Sequence, residues 1–190
     1  GILASELGTT PTADAVDELA TYWTHAFGDP MRLDYGTGHE AAFVMSMLVM
    51  WKRGVLRGLA QLALVVFPAY LSLARAARKK YRLEPAGSHG VWSLDDYHFL
   101  PFVFGSAQLS WRGPSEGATP RAVLRSPASV VSGALLSGPP SIMLADALRD
   151  VLESKTGPFN EHSPMLFELG GIKSWEDVNA GLLRMWRGEV

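Results

Sequence analysis

Apolar residues recur along most of this chain at spacings of three and four, the repeat of an α-helix with one buried face. Val16, Leu19, Ala20, Trp23 and Phe27 form the first such stripe, with Thr12 placed to cap it and Gly28, Asp29 and Pro30 to stop it. Residues 39–53 follow a loop, 32–38, and their middle, AAFVMSMLVMW, is apolar all round. That pattern predicts a central buried helix, with Met45, Met47 and Met50 as filler for irregular gaps. Leu59, Leu62, Ala63, Val66, Phe67, Tyr70 and Leu71 predict a further helix over 59–82, kinked at Pro68. Its last turns carry Arg75, Arg78, Lys79, Lys80 and Arg82, basic residues that complement a helix C-terminus. Ile142, Ala145, Leu148 and Leu152 predict a helix over 141–154. Trp175, Val178, Leu182, Met185 and Trp186 predict the last one, capped by Ser174 with Asp177 three residues on. No segment alternates long enough to make a strand, so the fold class is all-α.

Two stretches break the pattern. Residues 110–140 are rich in Ser, Gly, Pro and Ala around a short apolar element at 130–136, and read as a variable, flexible insertion. Residues 84–109, EPAGSHGVWSLDDYHFLPFVFGSAQL, run from a glycine-rich loop through two aspartates into an apolar segment. Ser93 and Asp96 have the spacing of a capping box, so Asp95 and Asp96 read either as helix-capping acids or as ligands for a cation. Adjacent helical residues point about 100° apart, which separates the two roles.

Gly36-Thr37-Gly38-His39-Glu40-Ala41 formally matches a dinucleotide fingerprint. The match lacks the preceding strand and βαβ unit that the fingerprint requires, so a Rossmann fold is rejected. Small residues at a helix start still expose backbone amides, and Arg32 stands close enough in sequence to neutralise phosphate. The alternative is that the glycines only permit a tight turn. The five histidines (25, 39, 89, 98 and 162) show no metal-ligand spacing, and no hydrolytic triad can be assembled.

Composition narrows the classes. With 190 residues, 47% of them hydrophobic, the chain supports one substantial core, and a single domain over 1–190 is expected. A net charge of −2 gives no reason to expect nucleic acid or an anionic membrane as partner. Without cysteine there is neither a disulfide framework nor a thiolate metal site. The first residues do not have the form of a signal peptide. The most apolar run, 59–74, is interrupted by Gln61 and Pro68 and falls short of the ~20 residues of a spanning helix. A soluble, intracellular protein is expected.

Four segments, RLDYGTGHEAAF, EPAGSHGVWSLDDYHFLPFVFGSAQL, KTGPFNEHSP and SWEDVNAGLLRMWRGEV, occur here in the order in which they occur in the phosphotyrosyl phosphatase activator (PTPA) family. The chain resembles that family from about residue 23 to 190, except over 110–140. The resemblance implies an all-α fold of core, linker and lid parts, with family portions lying beyond both ends of this chain. It implies an activator of serine/threonine protein phosphatase 2A that binds the catalytic subunit together with ATP and Mg2+, in the cytoplasm and also the nucleus. It also implies peptidyl-prolyl cis-trans isomerase activity on a prolyl peptide.

By motif position, Arg32, Thr37 and Gly38 would contact the nucleotide, and Gly90 and Asp96 the magnesium. Rotation about an X-Pro amide needs no nucleophile, only an apolar groove that desolvates and twists the bond. Trp92, Tyr97, Phe102 and Phe104 are the candidates to line it, with a core role as the alternative. The alternative function is a non-catalytic phosphatase-binding scaffold or chaperone that lacks nucleotide binding.

Overall fold

The computed structural model describes residues 13–111 and 124–189; Thr12 and residues 112–123 lie outside them. Helices dominate, as the apolar spacing implies. In chain order they are α1 (Ala13–His25), α2 (Thr37–Lys52), α3 (Leu59–Gln61), α4 (Phe67–Tyr81), α5 (Leu100–Ser110), α6 (Met143–Ser154), α7 (Phe159–His162), α8 (Pro164–Glu168) and α9 (Trp175–Glu189). Two strands that the sequence did not announce, β1 (Asp34–Tyr35) and β2 (Glu84–Pro85), pair in parallel. The chain divides into two compact units, Gly1–Gly87 and Ser88–Val190.

The first unit is built on aromatic packing. Phe43 of α2 stacks on Tyr70 of α4 with centroids 3.8 Å and planes 6° apart. Trp23, Phe27 and Phe67 pack against this pair. Helix α2 was expected to be buried all round, but only one stripe is: His39, Glu40, Phe43, Ser46 and Met47. Met45 and Trp51 stand 39% and 36% exposed, because a helix lying on one side of a small unit has nothing to bury its other face against.

Pro68 does not simply kink the next helix. Residues Leu62–Val66 adopt a π-helical turn between α3 and α4. Pro68 has no N–H to offer the preceding turn, and a widened turn makes room for its ring. The helical run Leu59–Tyr81 is 23 residues long, so it meets the length and composition of a membrane-crossing helix, contrary to the sequence expectation. Core helices pass the same test. This one buries Leu62, Phe67, Tyr70, Leu71, Ala74 and Arg78, while Leu59, Leu64, Val65 and Leu73 lie more than half exposed.

One hydroxyl chain crosses this core. The Tyr70 hydroxyl donates to the Ala26 carbonyl at 2.8 Å, and the Tyr35 hydroxyl lies 2.7 Å from Tyr70. Tyr70 has a single proton and spends it on Ala26, so Tyr35 is the donor of the pair. Burial pushes both phenols well above their ordinary 10, keeping them neutral.

The second unit packs α5 against α6 and α9. A Cβ on Gly105 would fall 2.1 Å from the Leu144 amide nitrogen, so α5 and α6 touch where α5 has no side chain. Gln108 caps α6 from across the contact, accepting from the Met143 amide and donating to the Ser141 carbonyl, both at 2.9 Å. Asn179 of α9 donates to the Val103 carbonyl and to Ser106 Oγ on α5. The expected Ser174 cap forms: its hydroxyl accepts from the Asp177 amide and donates to the Asp177 carboxylate.

Residues 124–140, read from composition as irregular, carry short 3-10 turns at Pro127–Ser129 and Ala134–Ser137 and place Leu124, Val130 and Leu135 in the core. The Trp175 indole fixes this segment by donating to the Leu124 carbonyl at 2.7 Å. KTGPFNEHSP contains α7 and the start of α8, each opened by a proline at or just before its first residue.

Tyr70→Phe should lower stability by about 1–3 kcal/mol, because it strips both the Ala26 carbonyl and the Tyr35 hydroxyl of a partner. Tyr35→Phe leaves the Tyr70–Ala26 bond intact and should cost less. Urea unfolding of the two variants checks the order, and a larger loss in Tyr35→Phe would contradict the direction of donation.

Candidate functional site

Loop 32–38 lies between strand and helix. β1 ends at Tyr35, Gly36 is the N-cap, and α2 begins at Thr37. The sequence argument had rejected a dinucleotide loop for want of a preceding strand. A strand of two residues is present, and its partner β2 runs parallel to it with α2 and α4 in the crossover. This is a far smaller sheet than a Rossmann fold, so that rejection stands for the fold. The local strand–glycine–helix element nevertheless exists.

Gly36 is required by proximity, since a Cβ there would lie 2.2 Å from the Ala86 carbonyl oxygen. That contact lays the loop on the end of β2. The first helical hydrogen bonds run from His39 and Glu40 amides to the Gly36 carbonyl. Thr37 and Gly38 precede them, and amides in that position have no partner within the helix. Gly38 is exposed, with open space where its side chain would be.

Arg32 is 62% exposed and already paired. Its Nε donates to Asp34 Oδ2 at 2.8 Å, its Nη2 to Asp34 Oδ1 at 3.3 Å, and its Nη1 lies 3.2 Å from Asp29 Oδ2. These contacts occupy one N–H on each nitrogen of a group that has five, leaving two for an incoming anion. Asp34 also faces His39 Nε2 at 3.6 Å, while His39 Nδ1 lies 2.6 Å from the His25 carbonyl, to which it donates. Asp29 accepts from the Met31 and Arg32 amides at 2.8 and 2.9 Å. Those two backbone bonds, Arg32 first, hold its carboxyl below the ordinary 3.8.

In the second unit the glycine-rich loop brings together the two residues expected at magnesium. The Gly90 amide donates to Ser88 Oγ at 3.1 Å, and the Ser88 hydroxyl donates to Asp96 Oδ1 at 2.9 Å. Gly90 has φ +61°, a left-handed conformation suited to glycine. The capping box expected of Ser93 and Asp96 does not form. Helix α5 starts only at Leu100, and Ser93 Oγ instead accepts from the His89 amide at 2.6 Å. Pro101 explains the late start, because a proline ring is tolerated in the first turn of a helix and not in its interior.

Asp95 is buried and accepts from the Tyr97 and His98 amides at 3.3 and 3.0 Å, a turn-closing role. Asp96 Oδ2 pairs with Lys155 Nζ at 2.9 Å, a partner that no sequence spacing pointed to. Among the described residues no group of three or more His, Cys, Asp or Glu could hold a metal. The donors these two residues offer, the Asp96 carboxylate and the Gly90 carbonyl, which already accepts from the Ser93 amide, are hard oxygens. That set suits Mg2+ completed by water and phosphate, the usual arrangement for this ion, and does not suit a metal caged by protein alone.

The four groove candidates separate. Phe102 is fully buried in the core and Phe104 packs against it, so these two take the core alternative. Trp92 is 77% exposed and Tyr97 half-buried. A largely apolar recess of about 520 Å3, lined by Ala128, Val131, Ser132, Phe167, Glu168, Gly170 and Gly171, includes none of the expected site residues.

The Asp29 turn gives the loop a definite pH response. A carboxyl whose folded pKa is depressed stabilises above the unfolded value, and that contribution is lost as pH falls through the folded one. The contribution of Asp29 to the turn over 29–34 should therefore persist at the ordinary carboxyl value of 3.8 and be lost only below it. Carbon-detected NMR of the Asp29 carboxyl should give a midpoint under 3.8. A midpoint at or above that value would contradict the two amide bonds.

Comparison with known proteins gives this geometry a context. The family profile described as Phosphotyrosyl phosphate activator (PTPA) protein matches residues 2–190. A Drosophila melanogaster serine/threonine-protein phosphatase 2A activator is 38% identical over 91% of this chain and 42% of its own length. An Emericella nidulans serine/threonine-protein phosphatase 2A activator 1 is 40% identical over 95% of this chain and 44% of its own length. The crystal structure of the PP2A phosphatase activator Ypa1 superposes with a TM-score of 0.73 at 30% identity, over 90% of this chain and 53% of that one. The chain thus spans about half the length of the relatives it matches. Its helical fold, its collinear motifs and the profile match over nearly its whole length agree: the chain belongs to the PTPA family.

Proposed function

We propose that this chain acts in the activation of serine/threonine protein phosphatase 2A, binding the catalytic subunit with ATP and Mg2+ in the cytoplasm and nucleus. The observation that carries the nucleotide part is the strand–glycine–helix element at 34–38. Its first-turn amides at Thr37 and Gly38 belong to the same loop as Arg32, an exposed guanidinium that has donors to spare. Helix N-termini of this form favour phosphate through their amides and dipole.

Asp96 and Gly90 would hold the magnesium, an ion that takes hard oxygen ligands and neutralises negative charge. Thr37 and Gly38 orient a phosphate by backbone N–H donation, and Arg32 adds a charged contact. The names of the relatives, phosphatase 2A activators, support the partner.

The accompanying isomerase activity would draw on Trp92 and Tyr97, the two groove candidates that are not in the core. An exposed indole can cover an X-Pro amide and exclude water from it, which favours the less polar, twisted state.

Arg32→Ala and Asp96→Asn, assayed in parallel, test the proposal. Each should lower ATP-Mg-dependent phosphatase activation by about tenfold or more, the loss expected when a charge-assisted contact is removed. Normal activation by both variants would exclude the ATP-magnesium reading. Trp92→Ala should lower turnover of a prolyl peptide without changing ATP binding, and a wild-type chain that does not accelerate isomerisation would remove the enzyme activity.

A further inference from the structure

Lys155 reaches the Asp96 site from the far end of α6. It is the C-cap of that helix and the first residue of KTGPFNEHSP. Its ammonium sits 2.9 Å from Asp96 Oδ2, and the two side chains are only 18% and 22% exposed. It also donates to the His162 carbonyl at 3.5 Å, while Ser88 holds the other Asp96 oxygen. The carboxylate assigned to a cation therefore already has one, supplied by the chain itself.

We propose that Lys155 is the resident counter-ion of the Asp96 site, and that a divalent cation binds there by exchange with its ammonium. The proposal rests on Asp96 being a magnesium ligand. A carboxylate has lone pairs enough for both cations, so geometry alone does not exclude joint occupancy. Charge does. Mg2+ binds oxygen at about 2.0–2.1 Å. An ammonium on the same carboxylate would then lie within a few ångströms of a double positive charge, in surroundings only partly screened by water.

Lysine suits such an exchange better than arginine would. Its charge is a compact point on a flexible four-carbon stem, so it can swing away with no backbone movement and no bidentate geometry to break. The exchange has two consequences. The partly buried carboxylate is compensated when no metal is bound, and affinity for the bare ion is lowered by the free energy of breaking the ion pair. A monovalent ion has little to offer against a tethered ammonium, whereas a divalent ion has twice the charge.

The test uses the whole chain and MgCl2 alone, with NaCl adjusted to constant ionic strength so that screening of the ion pair does not change. Mg2+ affinity is read from the Asp96 amide by 15N NMR, and exposure of Lys155 from its acetylation rate by mass spectrometry. Lys155→Gln should bind Mg2+ about tenfold more tightly than wild type, and Lys155→Arg more weakly than wild type. In the wild-type chain Mg2+ should raise Lys155 acetylation. In Asp96→Asn the acetylation should be high from the outset and insensitive to Mg2+. A lysine that merely tied the turn to the loop would give no magnesium-dependent labelling. Mg2+ binding with equal affinity in wild type and Lys155→Gln, or with no change in wild-type labelling, overturns the exchange and leaves the magnesium site standing. Absence of Mg2+ binding in both chains overturns the exchange and any Asp96 site for the bare ion.

Discussion

The hydroxyl chain from Tyr35 through Tyr70 to the Ala26 carbonyl is the constraint on which the first unit turns. It joins the strand before the glycine loop, the long helix α4, and the backbone just after α1. An unmade bond in this core would leave a polar group without water, so the three elements are held in one arrangement. The Gly36 backbone then has only the space against Ala86 that a glycine can use. Together these contacts set where α2 starts and hence which way the Thr37 and Gly38 amides face.

The second unit has the same logic in different materials. Gly105 lets α5 meet the Leu144 backbone, and Gln108 and Asn179 bind the neighbouring helices by donating and accepting across the contacts. This core fixes the end of α6, from which Lys155 extends, while Asp95 closes the turn that points Asp96 the other way. In each unit the charged residue assigned to a ligand is held by an opposite charge, Arg32 by Asp29 and Asp34, Asp96 by Lys155. At Asp96 the proposed cation would displace an ionic partner, whereas Arg32 would keep its carboxylates and offer its two remaining N–H groups, so only the first affinity would depend on breaking an internal pair.

Much of this was legible in the residues. The 3.6-residue apolar stripes of α6 and α9 mark their helices because burial on one face repeats with the helical turn, whereas the stripe of α1 marks a helix whose Val16 and Trp23 stand 51% and 46% exposed. Ser174 and Asp177 announce their cap because that interaction is local. What escaped the sequence was decided at long range. The parallel pairing of Asp34–Tyr35 with Glu84–Pro85 joins residues fifty apart, and two residues carry no alternation to detect. The Lys155–Asp96 pair spans two motifs that can be read only separately. Phe102 and Trp92 look alike in sequence, and only packing sends one to the core and the other to solvent. The misread capping box at Ser93 shows the converse. A correct spacing was overruled by Pro101, which moved the helix start to Leu100.

The proposed function requires the strand–glycine–helix element to receive nucleotide phosphate and Asp96 to receive a divalent cation. The most direct measurement is a 15N NMR titration of the chain with ATP in saturating Mg2+, following each backbone amide. Saturable shifts are expected at Thr37 and Gly38 and at Gly90 and Asp96, with the Thr37 and Gly38 shifts weakened in Arg32→Ala. Saturable binding whose shifts fall elsewhere and leave these four amides unmoved would contradict the proposed function.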